Sequence, residues 1–397
     1  MTFADKMECS VNDIETENST CFFGNQHKFL LLQYPSNLTF PIYGILCPII
    51  AILILISNFI VVCVFMKRQM RSVTTVFLVG LAVSDTLSAV LWSITHFFFY
   101  GIRDRPEQPL LYPDCVFHDF ALYFAVIFHT TSVWLTLTLG LQRCIIVVKP
   151  FKGPRLWTIR KSTFIAVMAY LIPTLFFAPL FFMKIYIPFY FIADDNSTSV
   201  YCTSYLSPWY LDDMKPFSVV YYIFRGVFVQ LLPCVLMMIS TAVLAYKLRH
   251  ERILQRHMSR IVDGQKRDFQ RRQRTTLMVV IIMVIFMIVE IPTGIVFGIK
   301  FYEDTANKLI LTRDVDYPFA IFQNFFLLLS YHCNFWIYVG LSARFRKTLQ
   351  NLFFGYSLKK TMEEVISMSI RSPHNYSDRS TRQSLVVNGN GHCYTER

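Results

Sequence analysis

Any chemistry in this chain has to come from a few polar residues set inside long apolar runs. Asp85 is the one aspartate placed deep in such a run, and Asn58, Ser132, Ser330 and Asn334 are companions of the right kind. A carboxylate with hydroxyl and amide partners can hold a proton or a small cation such as sodium through its oxygens. The same set would equally serve as a hydrated polar knot that joins helices, and the residues alone leave both readings open. Arg143 closes another apolar run, where a lone basic side chain is ordinarily a snorkelling anchor. Arg225 and Glu290 are harder to dismiss, because a charge in the middle of a run such as Ile281 to Ile291 cannot reach water cheaply. Either one neutralises the other, or each faces a cavity that receives a charged ligand group. Catalysis finds little support: there is no HExxH, GxSxG, Walker or CxxC element. His96, His129 and His332 are scattered over three runs and read as packed or hydrogen-bonded histidines. Apart from the sodium ion, no enzyme activity and no cofactor is expected.

The elements that must position these residues are legible in the hydropathy. The chain is 54% hydrophobic and 16% charged, and Leu46 to Met66 contains only Ser57 and Asn58 as clearly polar residues. Runs of about 20 apolar residues are long enough to cross a bilayer as helices. Seven can be read, at 42–66, 73–98, 116–148, 161–183, 217–247, 275–300 and 318–340. The links after the first, third and fifth carry Lys67, Arg68 and Arg71, then Lys149, Lys152, Arg155, Arg160 and Lys161, then a dense set from Lys247 to Arg274. By the positive-inside bias these links are cytoplasmic. The opposite side carries Asp5, Glu8, Asp13, Glu15 and Glu17 in the N-terminal segment, and Asp194, Asp195, Asp212, Asp213, Glu303, Asp304, Asp314 and Asp316 in the links. The net charge of +12 is thus a membrane-orientation signal, with no soluble basic patch suited to nucleic acid.

These signals predict an all-α membrane protein of four parts. They are an extracellular N-terminal tail (1–41), a seven-transmembrane helix bundle (42–340), an amphipathic eighth helix (341–355) and a disordered cytoplasmic tail (356–397). The location expected is the plasma membrane, with the first helix directing insertion because no cleavable signal peptide is visible. The eighth helix sets Phe345, Leu349, Leu352 and Phe353 on one face beside Arg344, Arg346 and Lys347, as a helix lying on the inner leaflet does. The tail, with Ser367, Ser369, Ser372, Ser377, Ser380, Thr381 and Ser384, is a substrate for kinases. Sequons at Asn18, Asn37 and Asn196 fall outside and are expected to be glycosylated, whereas Asn375 falls inside and should stay bare. Cys115 and Cys202, both in the oxidising compartment, are expected to bond; Cys9 and Cys21 could pair as well. Cys47, Cys63, Cys144, Cys234 and Cys333 lie in or beside helices as small apolar residues.

Several landmarks resemble the rhodopsin-like (class A) G-protein-coupled receptors over about 40–355: Asn58, Leu81-Ala-Val-Ser-Asp85, Arg143, Pro233, Pro292 and Asn334-Phe-Trp-Ile-Tyr338. The departures narrow the resemblance. The usual acidic-Arg-Tyr triplet is Gln142-Arg143-Cys144, Glu290 replaces the tryptophan before Pro292, Phe335 replaces the seventh-helix proline, and the fourth helix lacks its tryptophan. With Phe128 to Leu139 and Asn334 to Ser342, the chain looks like the invertebrate receptors grouped with sex-peptide, myoinhibitory-peptide, myosuppressin and FMRFamide-type receptors. That resemblance implies a short, often amidated peptide ligand, placed among His129, Arg225, Glu290 and Gln323 with the acidic outer links around it. It also implies a heterotrimeric G protein docking on Arg143 after the sixth helix swings about Pro292, with Asn334 and Tyr338 in the switch. Arrestin, receptor kinases and membrane lipid are the further partners expected. Neutral Gln142 removes the local carboxylate brake on Arg143 unless Glu251 or Asp268 substitutes, and Thr241 stands where a supporting tyrosine is usual. Those departures leave two other readings: a decoy or arrestin-only receptor, and an ion-conducting protein using the Asp85 cluster.

Overall fold

Long apolar stretches that bond their own backbone internally form helices in a bilayer, and in the computed structural model they do. The structure describes residues 22–23, 27–29, 36–102, 110–150, 152–192, 198–207, 220–221, 223–257, 263–306, 308–353, 355, 385–387 and 393–395. Asn18, Asn196, Asn375, Cys9, Cys21, Asp194, Asp195, Asp212, Asp213 and the tail serines lie outside them, so the expectations placed there stand as they were.

Helix α1 comprises Ser36–Thr39, a π-helical stretch Phe40–Leu46 and Cys47–Phe65. Helix α2 is Val73–Phe97, continued by a second π stretch, Phe98–Ile102. Helix α3 is Asp114–Val148, α4 Ile159–Phe177 with a further turn Leu180–Met183, and α5 a π stretch Gly226–Leu231 leading into Leu232–His257. Helix α6 is Asp263–Ala306, α7 Arg313–Leu341 and α8 Ala343–Phe353. Among the described residues six helices are each long and apolar enough to span a membrane, and Asp314–Leu341 qualifies together with α8, toward which the chain bends by 96°. The seventh helix reads weakest because it carries Asp314, Asp316, Gln323, Asn324, Ser330, His332 and Asn334.

Two boundaries differ from expectation. Helices α5 and α6 run on to His257 and back to Asp263, so most of the basic link is helical. Hydropathy could not show this, since beyond the bilayer a helix needs no apolar run. In the tail, strands β5 Leu385–Val387 and β6 Cys393–Thr395 pair antiparallel; they belong to a unit, Thr348–Arg397, separate from Met1–Lys347.

Local signals fix the helix ends. Ser72 caps α2 in a reciprocal capping box with Thr75, and Thr158 caps α4 by accepting from the Lys161 amide at 3.3 Å. At the end of α7 the Arg346 guanidinium donates to the carbonyls of Val339 (2.8 Å) and Gly340 (2.9 Å), satisfying acceptors that the helix itself leaves open. Ser342 accepts from the Phe345 amide at the start of α8, and the Phe345 ring is buried against Tyr338 and Phe65. Helices α4 and α2 are tied by the Tyr170 hydroxyl, which donates to the Gly80 carbonyl at 2.7 Å.

One end of the bundle is covered by a sheet. Strands β3 (Lys184–Ile192) and β4 (Thr198–Leu206) form an antiparallel hairpin between α4 and α5. N-terminal strands β1 (Phe22–Phe23) and β2 (His27–Phe29) extend it in the order β1-β2-β4-β3, with Lys28 opposite Ser204. Cys115 and Cys202 are bonded, which anchors β4 to the first turn of α3. Backbone bonds from Cys202 to Leu110 (2.8 Å) and from Tyr112 to Val200 (3.0 Å) reinforce that anchor.

Candidate ligand and coupling sites

Beneath the hairpin, the turn of α6 before Pro292 gathers side chains from α3, α5 and α7. Glu290 is buried, and its Oε1 lies 3.3 Å from His129 Nε2 of α3. The amide of Gln230 in α5 donates both to Glu290 Oε2 (3.1 Å) and to the Glu290 carbonyl (2.7 Å). From α7, Gln323 donates to the Val289 carbonyl (2.6 Å) and to Thr293 Oγ1 (2.5 Å). Proline lacks the amide that would bond the Ile288 carbonyl, and two glutamines from neighbouring helices donate to the next two carbonyls, of Val289 and Glu290. Gly294 admits one of them, since an added Cβ would lie 2.8 Å from Gln230 Cγ. His129 is itself positioned by Tyr331, whose hydroxyl lies 2.7 Å from Nδ1, and by a stacked Phe286 ring.

Of the four residues expected to meet a ligand, the structure joins His129 and Glu290 directly and sets Gln323 on the adjacent turn. Arg225 is not with them. Its guanidinium lies over the Phe177 and Phe297 rings, 5.6 and 5.9 Å from their centroids. Arg225 therefore does not neutralise Glu290; the aromatic faces hold its charge instead. Gln230, Tyr331 and Thr293 were missed. The signal for Gln230 was present, a polar side chain in an apolar run, by the rule that singled out Glu290.

Nearer the hairpin, Asp119 of α3 accepts from Lys184 Nζ (2.7 Å) and the Tyr186 hydroxyl (2.8 Å), and lies 3.2 Å from His118 Nδ1. Burial alone would lower the Lys184 ammonium pKa, but the Asp119 carboxylate and the Tyr123 phenol together outweigh it and hold the value above the ordinary lysine range. Burial and the same carboxylate both raise the Tyr186 phenol. Two acidic residues expected to face a ligand are already engaged: Glu303 Oε1 caps the amides of Ile310 (2.5 Å) and Leu311, and Asp316 pairs with Lys300 at 2.7 Å. Asn37, exposed, sits in the first turn of α1 with the sequon's Thr39 buried.

Mid-bundle, Asp85 is fully buried, accepting from the Ser132 hydroxyl on one oxygen and from Asn334 Nδ2 at 2.9 Å on the other. Two expected companions make other bonds: Ser330 donates to the Leu327 carbonyl (2.7 Å) of its own helix, and Asn58 donates to Thr86 Oγ1 (3.0 Å). Asp85 and Ser132 keep the oxygens that a hard cation takes, so a sodium ion fits this donor set.

At the opposite end of the bundle, Arg143 donates to Thr74 Oγ1 of α2, while its Nε has no partner among the described residues. Gln142 is fully buried with both amide atoms unpartnered among the described residues, and the Cys144 thiol donates to the Ser240 carbonyl at 3.4 Å. Among the described residues no carboxylate pairs with Arg143; Glu251 does not, and the Asp268 side chain lies outside them. Helices α3 and α6 meet tightly here. Gly140 faces the buried Met283 thioether, which a Cβ at residue 140 would strike, and Thr241 Oγ1 lies 3.9 Å from that sulfur. Tyr338 is buried between Phe65 and Phe345, with ring centroids 5.3 and 5.9 Å away.

Known proteins agree with this plan. The Drosophila melanogaster protein called sex peptide receptor is 29% identical over 402 residues, covering 96% of this chain and 82% of that one. A Caenorhabditis elegans protein, sex peptide receptor-related protein 2, is 25% identical over 348 residues (82% and 74%), and the Drosophila FMRFamide receptor 21% over 354 (83% and 57%). The family model described as serpentine type 7TM GPCR chemoreceptor Srw matches residues 45–355. Seven bundled helices, the α3-to-hairpin disulfide and that match over most of the chain place this protein in the Srw family of seven-transmembrane G-protein-coupled receptors.

Proposed function

We propose that the chain is a receptor for a short, C-terminally amidated neuropeptide, with the hairpin end outside the cell and the Arg143 end facing a heterotrimeric G protein. The observation that carries this reading is the Glu290–His129 junction under the hairpin, bracketed by Gln230 and Gln323. A carboxylate held there accepts hydrogen bonds and donates none, which suits an amide N–H and repels a terminal carboxylate. Arg225, held over aromatic rings closer to the hairpin, meets a different part of the peptide. The four α6 carbonyl and side-chain contacts beside Pro292 are the place where an incoming peptide group changes the geometry of α6.

The mechanism is a two-state switch. Peptide that binds the active packing better than the resting one shifts the population by that difference in affinity, about 5.5 kcal/mol for a near-complete change. Helix α6 then moves about Pro292, Met283 leaves Gly140, and Arg143 is freed from Thr74 to contact the G-protein tail. Asp85, Ser132 and Asn334 would hold a sodium ion in the resting state, and the tail would take kinases and arrestin. Relatives whose names specify peptides, among them the sex peptide receptor and the FMRFamide receptor, support the ligand class. Glu290→Gln tests the reading: with equal surface expression it should reduce the potency of the activating peptide at least tenfold and narrow its preference for amide over free acid. Unchanged potency and unchanged preference would remove Glu290 from the ligand site.

A further inference from the structure

A cavity of about 630 Å³ opens at the Arg143 end of the bundle, between the ends of α1, α2, α3 and α6 and the α7–α8 turn. Its volume is in the range of small-molecule sites. Among the described residues its charges are Arg143, Arg274 and Arg344, and no Asp or Glu lines it. Phe65, Trp157 and Met278 supply apolar wall. Gln142 lines it too, buried, with amide nitrogen and oxygen both unpartnered among the described residues, and the Arg143 Nε is likewise open. Buried polar atoms are nearly always hydrogen-bonded, so an orphaned amide beside an orphaned guanidinium nitrogen marks a place where a partner belongs.

From these groups we infer that the cavity binds an anionic amphiphile, a phosphate monoester on an apolar body, entering from the leaflet at this end. Three guanidiniums without a carboxylate suit a dianion better than a monoanion, and guanidinium forks match phosphate oxygens in pairs. The Gln142 amide adds a neutral donor where an acidic residue would have repelled the ligand. The apolar wall distinguishes such a lipid from free phosphate.

The test is thermal unfolding of the purified full-length protein in uncharged detergent, which reads binding without signalling and so is independent of the peptide proposal. Dioctanoyl phosphatidic acid should raise the melting temperature by a few degrees at saturation, because a ligand bound only to the folded state stabilises it. Dioctanoyl phosphatidylcholine and inositol trisphosphate should each give less than half that rise. Gln142→Glu should abolish the rise, and Arg344→Gln, at an exposed position that leaves the core intact, should at least halve it. No rise with phosphatidic acid, an equal rise with either comparison ligand, or a rise unaltered in Arg344→Gln would overturn the assignment.

Discussion

Among the polar side chains that could carry function, the two ends of the bundle differ in how they are partnered. Toward the hairpin every charged group described above has its partners: Asp119 has Lys184 and Tyr186, and Glu290 has His129 and Gln230. Toward Arg143 the amide of Gln142 and the Nε of Arg143 have none among the described residues. Hydrogen bonds to a charged group each contribute about 1.5–3 kcal/mol, while an unmet buried polar atom costs about 1–3. The hairpin end is therefore built to hold one geometry. The other end holds groups whose partners arrive with a change of state or with a ligand.

Breaking the hairpin end should have the largest effect. Cys115→Ser opens a bond between residues 87 apart in sequence. It should cost about 2–4 kcal/mol and most of the surface expression, measured by melting and by antibody labelling of intact cells. Next is Asp119→Asn, which leaves Lys184 without its carboxylate and should cost about 1–3 kcal/mol. The sign of the pH dependence follows from Lys184, whose folded pKa lies above its ordinary 10.5. Its contribution is complete below that ordinary value and lost as pH rises through the raised one. Melting curves should thus show the same gap between the wild type and Asp119→Asn at about pH 6 and about pH 9, closing only under stronger alkali.

Changes at the Arg143 end should act on signalling more than on stability. Gly140→Ala places a methyl against Met283 and should raise ligand-free nucleotide exchange several-fold, about 1 kcal/mol toward the open packing, with melting changed little. The smallest effect sharpens the comparison most. Gln142→Leu replaces an unpartnered amide by an apolar side chain of similar size, and should be neutral or stabilising by about 1 kcal/mol. A clear loss of stability would mean that Gln142 is partnered and that the two ends are built alike.

Much of this was legible without coordinates. Seven apolar runs and the Cys115–Cys202 bond follow from hydropathy and compartment, and the Glu290 site from the cost of a carboxylate in lipid. Which residues meet across helices was not legible, because it depends on how each helix is rotated. Glu290 found His129 rather than Arg225, Arg143 found Thr74, and Ser330 turned back to Leu327. The helical extension of α6 to Asp263 was hidden because polar residues outside the bilayer carry no span signal. The N-terminal strands on the hairpin edge pair through backbone groups, which any side chains permit.

The most direct test of the whole account is peptide-stimulated nucleotide exchange by the receptor reconstituted with a G protein, compared with Arg143→Ala while peptide binding is measured on the same samples. A panel of amidated invertebrate peptides should contain one that drives exchange on the wild type, and Arg143→Ala should bind it but lose the exchange at least tenfold. Exchange of equal rate in Arg143→Ala, or a wild type that responds to none of the panel while correctly folded, would contradict a switch that runs from Glu290 to Arg143.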